Sequence, residues 1–167
     1  MEPIAILEGN REPILRLLAA VIAGAGLGVD RELREKPAGL RTHALVALGS
    51  ALITVLSVEL VQVGPKLDAG AVSRTIQGVI TGIGFLGAGV ILRNQSGESV
   101  HGLTTAASIW VVASLGVACG LGQLPLAFST LGIALLVLNL GGPLERALHR
   151  ALVKLKHRQG GEGGLPG

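Results

Sequence analysis

Three glycines in the stretch TGIGFLGAG have the spacing GxGxxG, which in dinucleotide-binding folds holds a pyrophosphate at the start of a helix. They are Gly82, Gly84 and Gly87. Such a fold also needs an acidic residue about 20 positions further on to bind the ribose. No Asp or Glu occurs between Glu98 and Glu145. Because the chain has 26 glycines in 167 residues, the spacing arises easily by chance, and no nucleotide site is predicted.

Few other side chains have the types and spacing for catalysis or metal binding. The four histidines, His43, His101, His149 and His157, lack metal-ligand spacing with one another or with Cys119. Cys119 is the single cysteine, so it forms no intramolecular disulfide, and the sequence offers no base to activate its thiol. The sequence therefore predicts a protein that is not an enzyme, with no metal site and no cofactor.

Glu59 is the carboxylate that lies deepest in an apolar segment, within SVELVQV. Polar groups at membrane depth are costly and tend to face a protein interior or a wet cavity. Arg74 and Gln77 open the next apolar segment, within plausible reach of Glu59 across a short connection. Three interpretations stay open: Glu59 reaches interfacial water, pairs with Arg74, or contacts a cation.

The elements that position these residues follow from composition. Hydrophobic residues form 49% of the chain and charged residues 15%, and the mean hydropathy is +0.62. Apolar runs long enough to cross a hydrocarbon core of about 30 Å occupy residues 14–29, 43–63, 76–92, 104–121 and 124–140. Each must be helical, because lipid offers no partner for backbone N–H and C=O groups. The sequence predicts an all-α bundle of five transmembrane helices in the lipid bilayer.

The distribution of Lys and Arg predicts that the N-terminus lies outside and the C-terminus inside the cell. Most of the 14 basic residues then lie on the inner side, as the positive-inside rule requires. A signal peptide, with Arg11 and Arg16 before LLAAVIAGAG, is the competing interpretation of the first segment. The net charge of only +3 and the three aromatic residues, two Phe and one Trp, argue against nucleic-acid binding.

Glycines have a packing role in such a bundle, because small residues let helix backbones approach closely. Gly24 with Gly28, Gly78 with Gly82, and Gly116 with Gly120 have GxxxG spacing. Small residues continue along the third span at Gly84, Gly87, Ala88 and Gly89. We therefore expect the third span to lie at the centre of the bundle, and the glycine faces to support a homo-oligomer.

Charged residues cluster after the first span: Asp30, Arg31, Glu32, Arg34, Glu35 and Lys36. Arg31 with Glu35 and Glu32 with Lys36 are spaced i, i+4, which predicts ion pairs on one further helical turn. Thr104 and Thr105 are expected to cap the fourth span. Alternatively, that helix N-terminus, with Arg93 and His101 nearby, attracts an anion or a carboxylate such as Glu32.

Three blocks together resemble the MgtC/SapB family of bacterial inner-membrane proteins: RELREKPAGLRTHALVALGSAL, GIGFLGAGVIL and VHGLTTAASIWVVASLG. The resemblance implies five transmembrane helices, an inner-membrane location, and a link to magnesium limitation and virulence through regulation of other membrane proteins. The residues that match the family motifs are Arg31, Glu32, Lys36, Pro37, Arg41, Thr42, His43, Gly84, Gly87, Gly89, Gly102, Thr104, Thr105 and Trp110. With Asp30 they include the polar set expected on the inner face.

The chain departs from longer family members, which carry a C-terminal ACT-like cytosolic domain. We expect a transmembrane domain over residues 1–142, a basic amphipathic cytoplasmic helix over residues 143–158, and a flexible tail over residues 159–167. Two functions stay open. The first is a regulator that binds another inner-membrane protein through its inner loops, and the second is a small Mg²⁺ carrier or channel that uses Glu59, Gln77, Asp30 or Glu32.

Overall fold

A computed structural model describes residues 11–63, 69–92 and 102–161 of the chain. They form five α-helices: α1 (Arg11–Leu33), α2 (Leu40–Val63), α3 (Ala69–Leu92), α4 (Leu103–Gly120) and α5 (Leu124–Gly161). All five contain a stretch long and apolar enough to cross a membrane. The predicted set of five transmembrane helices is therefore confirmed, because long apolar runs with few charges have no other stable form in lipid.

The chain divides into two compact units, of which the first ends at Gly132. In this unit α2 and α4 each pack against α1, α3 and one another, and α4 is the more buried of the two. More than half of the α4 span, 56%, is buried, compared with 11% of the α3 span. The prediction that the third span occupies the centre is therefore wrong for the single chain, because the small residues of α4 meet neighbouring helices and most of those of α3 do not.

Glycines bring α1 and α4 into close contact with α2. A Cβ added at Gly24 would lie 2.6 Å from the carbonyl oxygen of His43, and one at Gly28 would lie 2.6 Å from the Cα of Leu40. On α4, a Cβ at Gly120 would lie 2.7 Å from the carbonyl oxygen of Ala51. Gly116 meets α2 in the same way, at Ala47 and Ser50. The backbones of these helices therefore approach more closely than any side chain would allow.

The end of α1 is a Schellman motif with an unusual residue. Lys36 N donates to the carbonyl of Arg31 at 3.0 Å, and Glu35 N donates to the carbonyl of Glu32 at 3.0 Å. Glu35 has φ of 53°, the left-handed conformation that this motif requires and that glycine adopts most easily. The helix therefore ends at Leu33 and does not extend by the further turn that the charge spacing predicted.

The end of α4 has the same motif with glycine in the left-handed position. Gly122 has φ of 78°, and Gln123 N donates to the carbonyl of Ala118 at 2.9 Å. Arg16 on α1 adds a side-chain contact, because its Nη1 donates to the carbonyl of Gly120 at 3.1 Å. Arg16 also pairs with Glu12 one turn earlier. A cation thus lies at the negative end of the helix dipole of α4, which is the favourable placement.

The second unit begins at Ile133 and contains the C-terminal part of α5. The helix continues through Pro143, so residues 143–158, expected as a separate helix, are continuous with α5. Exposed apolar side chains recur along it with a spacing of three to four residues, the period of one helix face: Ile133, Leu136, Val137, Leu140, Leu144, Leu148 and Leu152. Residues 162–167 of the expected tail lie outside the described residues.

Candidate functional site

Most of the polar residues singled out in the sequence meet at one end of the first unit. We call this end, formed by residues 30–43 and 102–105, the charged end. It contains the last turn of α1, the connection to α2, the first turn of α2 and the first turn of α4. Arg93 and His101, expected nearby, lie outside the described residues.

Arg31 is buried inside the charged end, with only 3% of its surface exposed. Its Nη2 donates to Thr105 Oγ1 at 3.3 Å, which links α1 to the first turn of α4. The predicted ion pair with Glu35 does not form in the described chain, because α1 ends before Glu35 and Arg31 turns into the bundle. The Nε of Arg31 has no acceptor among the described residues, so this buried guanidinium is incompletely satisfied.

His43 is fully buried and links α2 to α4. Its Nδ1 lies 2.9 Å from the carbonyl oxygen of Gly39 and its Nε2 lies 3.0 Å from Ser108 Oγ. In a neutral ring, Nδ1 donates to the carbonyl and Nε2 accepts the hydroxyl proton of Ser108. The carbonyl of Thr105, 2.8 Å from Ser108 Oγ, competes with Nε2 for this single hydroxyl proton. Arg31, Thr105, Ser108 and His43 thus form one polar network across three helices.

Glu32 and the two threonines of α4 do not take the capping positions expected for them. Glu32 Oε2 accepts from Leu40 N at 3.0 Å, so this carboxylate caps α2 and not α4. The N-cap of α4 is Gly102, with no side-chain cap. Thr105 is buried against Arg31 and Thr104 is exposed. The prediction of hydroxyl caps is wrong, because the capping position falls two residues before the first threonine.

Other polar residues of the charged end face outward. Arg34 is exposed and its Nε donates to Asp30 Oδ1 at 3.0 Å, a pair one helical turn apart. Exposed side chains continue along the connection and into α2: Glu32, Glu35, Lys36, Pro37, Arg41 and Thr42. Several of them border a cleft of about 570 Å³ lined by Glu32, Gly39, Leu40, Arg41 and Thr42. The charged end therefore has a buried network and an exposed charged surface.

Glu59, Arg74 and Gln77 do not belong to the charged end. Glu59 lies near the end of α2, Arg74 lies in the second turn of α3 and Gln77 in the third; all three side chains are exposed. No hydrogen bond joins Glu59 to Gln77 within the described part of the chain. The same part of the chain contains no group of three or more His, Cys, Asp or Glu side chains that could hold a metal ion.

Four glycines of α3, Gly78, Gly82, Gly84 and Gly89, are not packed against the rest of the described chain. A Cβ added at Gly78, Gly82, Gly84 or Gly89 would meet no atom within 4 Å, and one at Gly87 would lie 3.7 Å from Ala106 Cβ. Beside them runs a mainly apolar groove of about 640 Å³ between α2 and α3. It is lined by Leu45, Val46, Gly49, Ser50, Ile53, Thr75, Gly78, Val79, Gly82, Ile83 and Leu86.

Two residues that matter for this architecture were missed in the sequence. Ser108 lies three residues after Thr105, on the same face of α4, and this spacing could have identified it as a partner for a polar residue that faces Thr105. The second is Arg16, whose sequence position bears only on membrane orientation and on the signal-peptide interpretation. Its contact with the end of α4 depends on how two helices pack and has no local signal in the sequence.

Comparisons with known proteins identify the family. The model of the MgtC family matches residues 17–147. The chain is 47% identical to Protein SrpB of Synechococcus elongatus over 119 residues, covering 66% of this chain and 65% of SrpB. It is 47% identical to Protein MgtC of Salmonella typhimurium over 110 residues, covering 66% of this chain and 44% of MgtC.

A third relative, YhiD of Escherichia coli, is named as a candidate magnesium transporter. It is 43% identical over 136 residues, covering 77% of this chain and 60% of YhiD. The chain thus spans between 44% and 65% of the length of these relatives. No solved structure matches it. The family-model match over residues 17–147, together with these identities of 43–47%, shows that the chain belongs to the MgtC family.

Proposed function

We propose that this chain is a non-enzymatic protein of the bacterial inner membrane that acts in adaptation to magnesium limitation by binding another membrane protein. The binding surface is the charged end. The proposal is supported by membership of the MgtC family and by the sequence resemblance described above. It places the N-terminus outside and the C-terminus inside the cell, so that the charged end lies on the cytoplasmic side, in agreement with the excess of Lys and Arg there.

One observation carries the proposal: the charged end contains two groups of polar residues. One group is buried and joins the helices, and the other is exposed and can contact a partner. Arg31 and His43 are buried and bond to α4. Lys36, Arg41 and Thr42 are exposed on the adjoining surface. A surface supported by buried hydrogen bonds between helices presents its charges in a fixed arrangement, which favours recognition of a charged partner.

The exposed face of α3 supports a homo-oligomer as part of the same proposal. Gln77 is exposed beside Gly78 and Gly82, within a helix that crosses the membrane. A carboxamide is both donor and acceptor, so two copies related by a two-fold axis can bond through the same residue. The neighbouring glycines allow the helix backbones to approach closely. A second copy of this chain is therefore the proposed occupant of this face.

Transport of Mg²⁺ is the second candidate function, supported by the name of YhiD and by Glu59. Magnesium binds oxygen ligands, usually carboxylates and water. Glu59 supplies one carboxylate near the end of α2. The groove between α2 and α3 is mainly apolar, with Ser50 and Thr75 as its polar side chains, which favours the binding function over a route for a hydrated cation.

Growth at limiting Mg²⁺ distinguishes partner binding from Mg²⁺ transport. The assay uses a bacterium that needs this protein to grow under that condition. We expect Arg41→Glu to abolish growth while the protein remains in the membrane at its normal level. The matched control is Arg11→Glu, which reverses an exposed charge at the opposite end of α1 and is expected to grow normally. Normal growth of the Arg41 variant would refute the role of the charged end. Loss of growth in Glu59→Gln with normal growth in Arg41→Glu would favour transport.

A photo-crosslinker placed at Thr42 identifies the kind of partner in the same cells. Thr42 is exposed at the charged end, whereas Ile22, in the middle of α1, has 61% of its surface exposed and serves as a control position. We expect one adduct with an integral membrane protein at position 42 and not at position 22. Equal labelling at both positions, or adducts with lipid alone, would contradict the proposed surface.

A further inference from the structure

We propose that the first turn of α4, together with Arg31, forms a binding site for a phosphate group. The site would accept either free inorganic phosphate or the phosphodiester of a phospholipid headgroup, which present the same oxygens. Two independent features of the charged end point to it: an uncapped helix N-terminus and a buried guanidinium with an unused donor. This inference does not depend on the identity of the partner protein.

The N-terminus of α4 has donors with no intrahelical acceptor. The first internal bond of the helix is from Ala106 N to the carbonyl of Gly102, at 2.8 Å. The N–H groups of the three residues before Ala106 therefore have no acceptor within the helix. The N-cap residue is Gly102, which provides no side chain to accept from them. Such a turn, at the positive end of the helix dipole, favours an anion.

Arg31 adds a fixed positive charge to this turn. Its side chain is more than nine-tenths buried, and Nη2 donates to the hydroxyl of Thr105, the third residue of α4. The Nε has no acceptor in the described chain. A guanidinium held against the positive end of a helix is electrostatically unfavourable, and an unused buried donor adds to this cost. An anion bound at the turn offsets the repulsion between the guanidinium and the positive end of the helix.

Asp30 attracts the Arg31 guanidinium electrostatically, and both acidic neighbours of Arg31 also accept hydrogen bonds from other groups. Glu32 accepts from Leu40 N at the start of α2, and Asp30 Oδ1 accepts from Arg34 Nε. The buried ring of His43 bonds Gly39 and Ser108 and makes no hydrogen bond to the N–H groups of the first turn of α4 among the described residues.

The remaining groups at the turn are suited to a phosphate. Thr104 is exposed and offers a hydroxyl donor beside the N–H groups that have no acceptor within the helix. Gly102 has φ of 92°, and a Cβ there would lie 3.1 Å from the carbonyl oxygen of Val90. Only glycine therefore fits this position. A phosphate has several acceptor oxygens and binds guanidinium and backbone N–H groups together, whereas a single carboxylate has two oxygens.

The test uses the full chain purified in a neutral detergent. Inorganic phosphate is titrated while its ³¹P resonance and the thermal unfolding midpoint of the protein are recorded, with chloride at equal ionic strength as the reference. In a second arm, phosphatidylglycerol is added and retained lipid is detected by native mass spectrometry. We expect saturable binding of phosphate in one of the two arms, and both arms use the unmodified protein.

Variants assign the binding to the site. Arg31→Gln removes the charge and is expected to weaken binding about tenfold or more, because hydrogen bonds to charged groups are worth at least one factor of ten. Thr104→Val removes an exposed hydroxyl and is expected to weaken binding about two- to tenfold. Arg11→Gln, an exposed position at the other end of α1, is the control and is expected to bind normally.

Each outcome decides between defined alternatives. A saturable change in the ³¹P resonance or the unfolding midpoint on addition of inorganic phosphate, lost in Arg31→Gln, identifies free phosphate as the ligand. Retention of phosphatidylglycerol by the wild type, reduced in Thr104→Val but not in Arg11→Gln, identifies a headgroup. If Arg31→Gln does not fold, the comparison of phosphate binding between the wild type and Thr104→Val tests the site without it. Absence of binding in both wild-type arms, or equal binding by all variants, overturns the proposal.

Discussion

Replacing Gly24 with alanine tests the close packing of α1 against α2 on which the charged end depends. The added Cβ would lie 2.6 Å from the carbonyl oxygen of His43 and 2.8 Å from Ala47 Cβ. Nonbonded carbon atoms pack favourably at about 3.5–4.0 Å. The two helices must therefore separate by about 1 Å, and the contact around Gly28, one turn further along α1, weakens with it.

The expected change in the free energy of unfolding is the sum of two opposing effects. Overpacking of this kind costs about 1–3 kcal/mol. Alanine favours a helix over glycine by about 1 kcal/mol, which offsets part of that cost. We therefore expect Gly24→Ala to lower the free energy of unfolding by up to about 2 kcal/mol. Gly132→Ala is the matched control, because a Cβ there would meet no atom within 4 Å. It is expected to be neutral or to stabilise by up to about 1 kcal/mol.

The assay is reversible unfolding of the purified chain by sodium dodecyl sulfate in mixed micelles, followed by circular dichroism at 222 nm. The decisive quantity is the difference in the free energy of unfolding between Gly24→Ala and Gly132→Ala. We expect the first variant to be less stable by about 1–3 kcal/mol, because the helix-propensity gain is common to both and only the overpacking cost differs. Equal stability of the two variants would show that α1 and α2 do not approach as closely as described.

Three further substitutions test the helix ends and the face of α3. Glu35→Gly is expected to raise the free energy of unfolding by about 1 kcal/mol, because Glu35 is left-handed; a loss of stability in the same assay would contradict the Schellman motif. Arg16→Gln is expected to lower it by about 1.5–3 kcal/mol through loss of the charged donor to the Gly120 carbonyl, and an unchanged midpoint would refute that contact. Gly82→Leu is expected to leave unfolding of the single chain unchanged but to reduce association of copies in sedimentation analysis; unfolding at lower detergent would show that Gly82 is packed internally.

The number and type of the helices could be predicted from the sequence, since a long apolar run in lipid has one stable form. The identity of the central helix could not. Gly78 with Gly82 and Gly116 with Gly120 have the same spacing, yet only the second pair meets a neighbouring helix. Spacing defines a small-residue face, but the rotation of the helix in the bundle decides whether that face is covered.

The sequence singled out polar residues that meet at the charged end, but it did not identify their partners. Arg31 had an acidic residue at i+4, and the structure instead directs it to Thr105, 74 residues away in the chain. The left-handed Glu35 ends α1 and removes the turn on which the local pair depended. Glu32 likewise reaches Leu40 N across the tight connection. Local spacing identifies which charges can pair, and tertiary packing selects among longer-range partners.

Magnesium flux into liposomes tests most directly whether this chain acts by binding and not by transport. The purified full chain is reconstituted, its helix content is checked by circular dichroism, and Mg²⁺ entry is followed with an enclosed fluorescent indicator beside a Glu59→Gln variant. The account predicts that Mg²⁺ enters at the rate measured for protein-free liposomes, with both proteins folded. Entry that depends on the wild-type protein and is lost in Glu59→Gln would contradict it and identify a carrier.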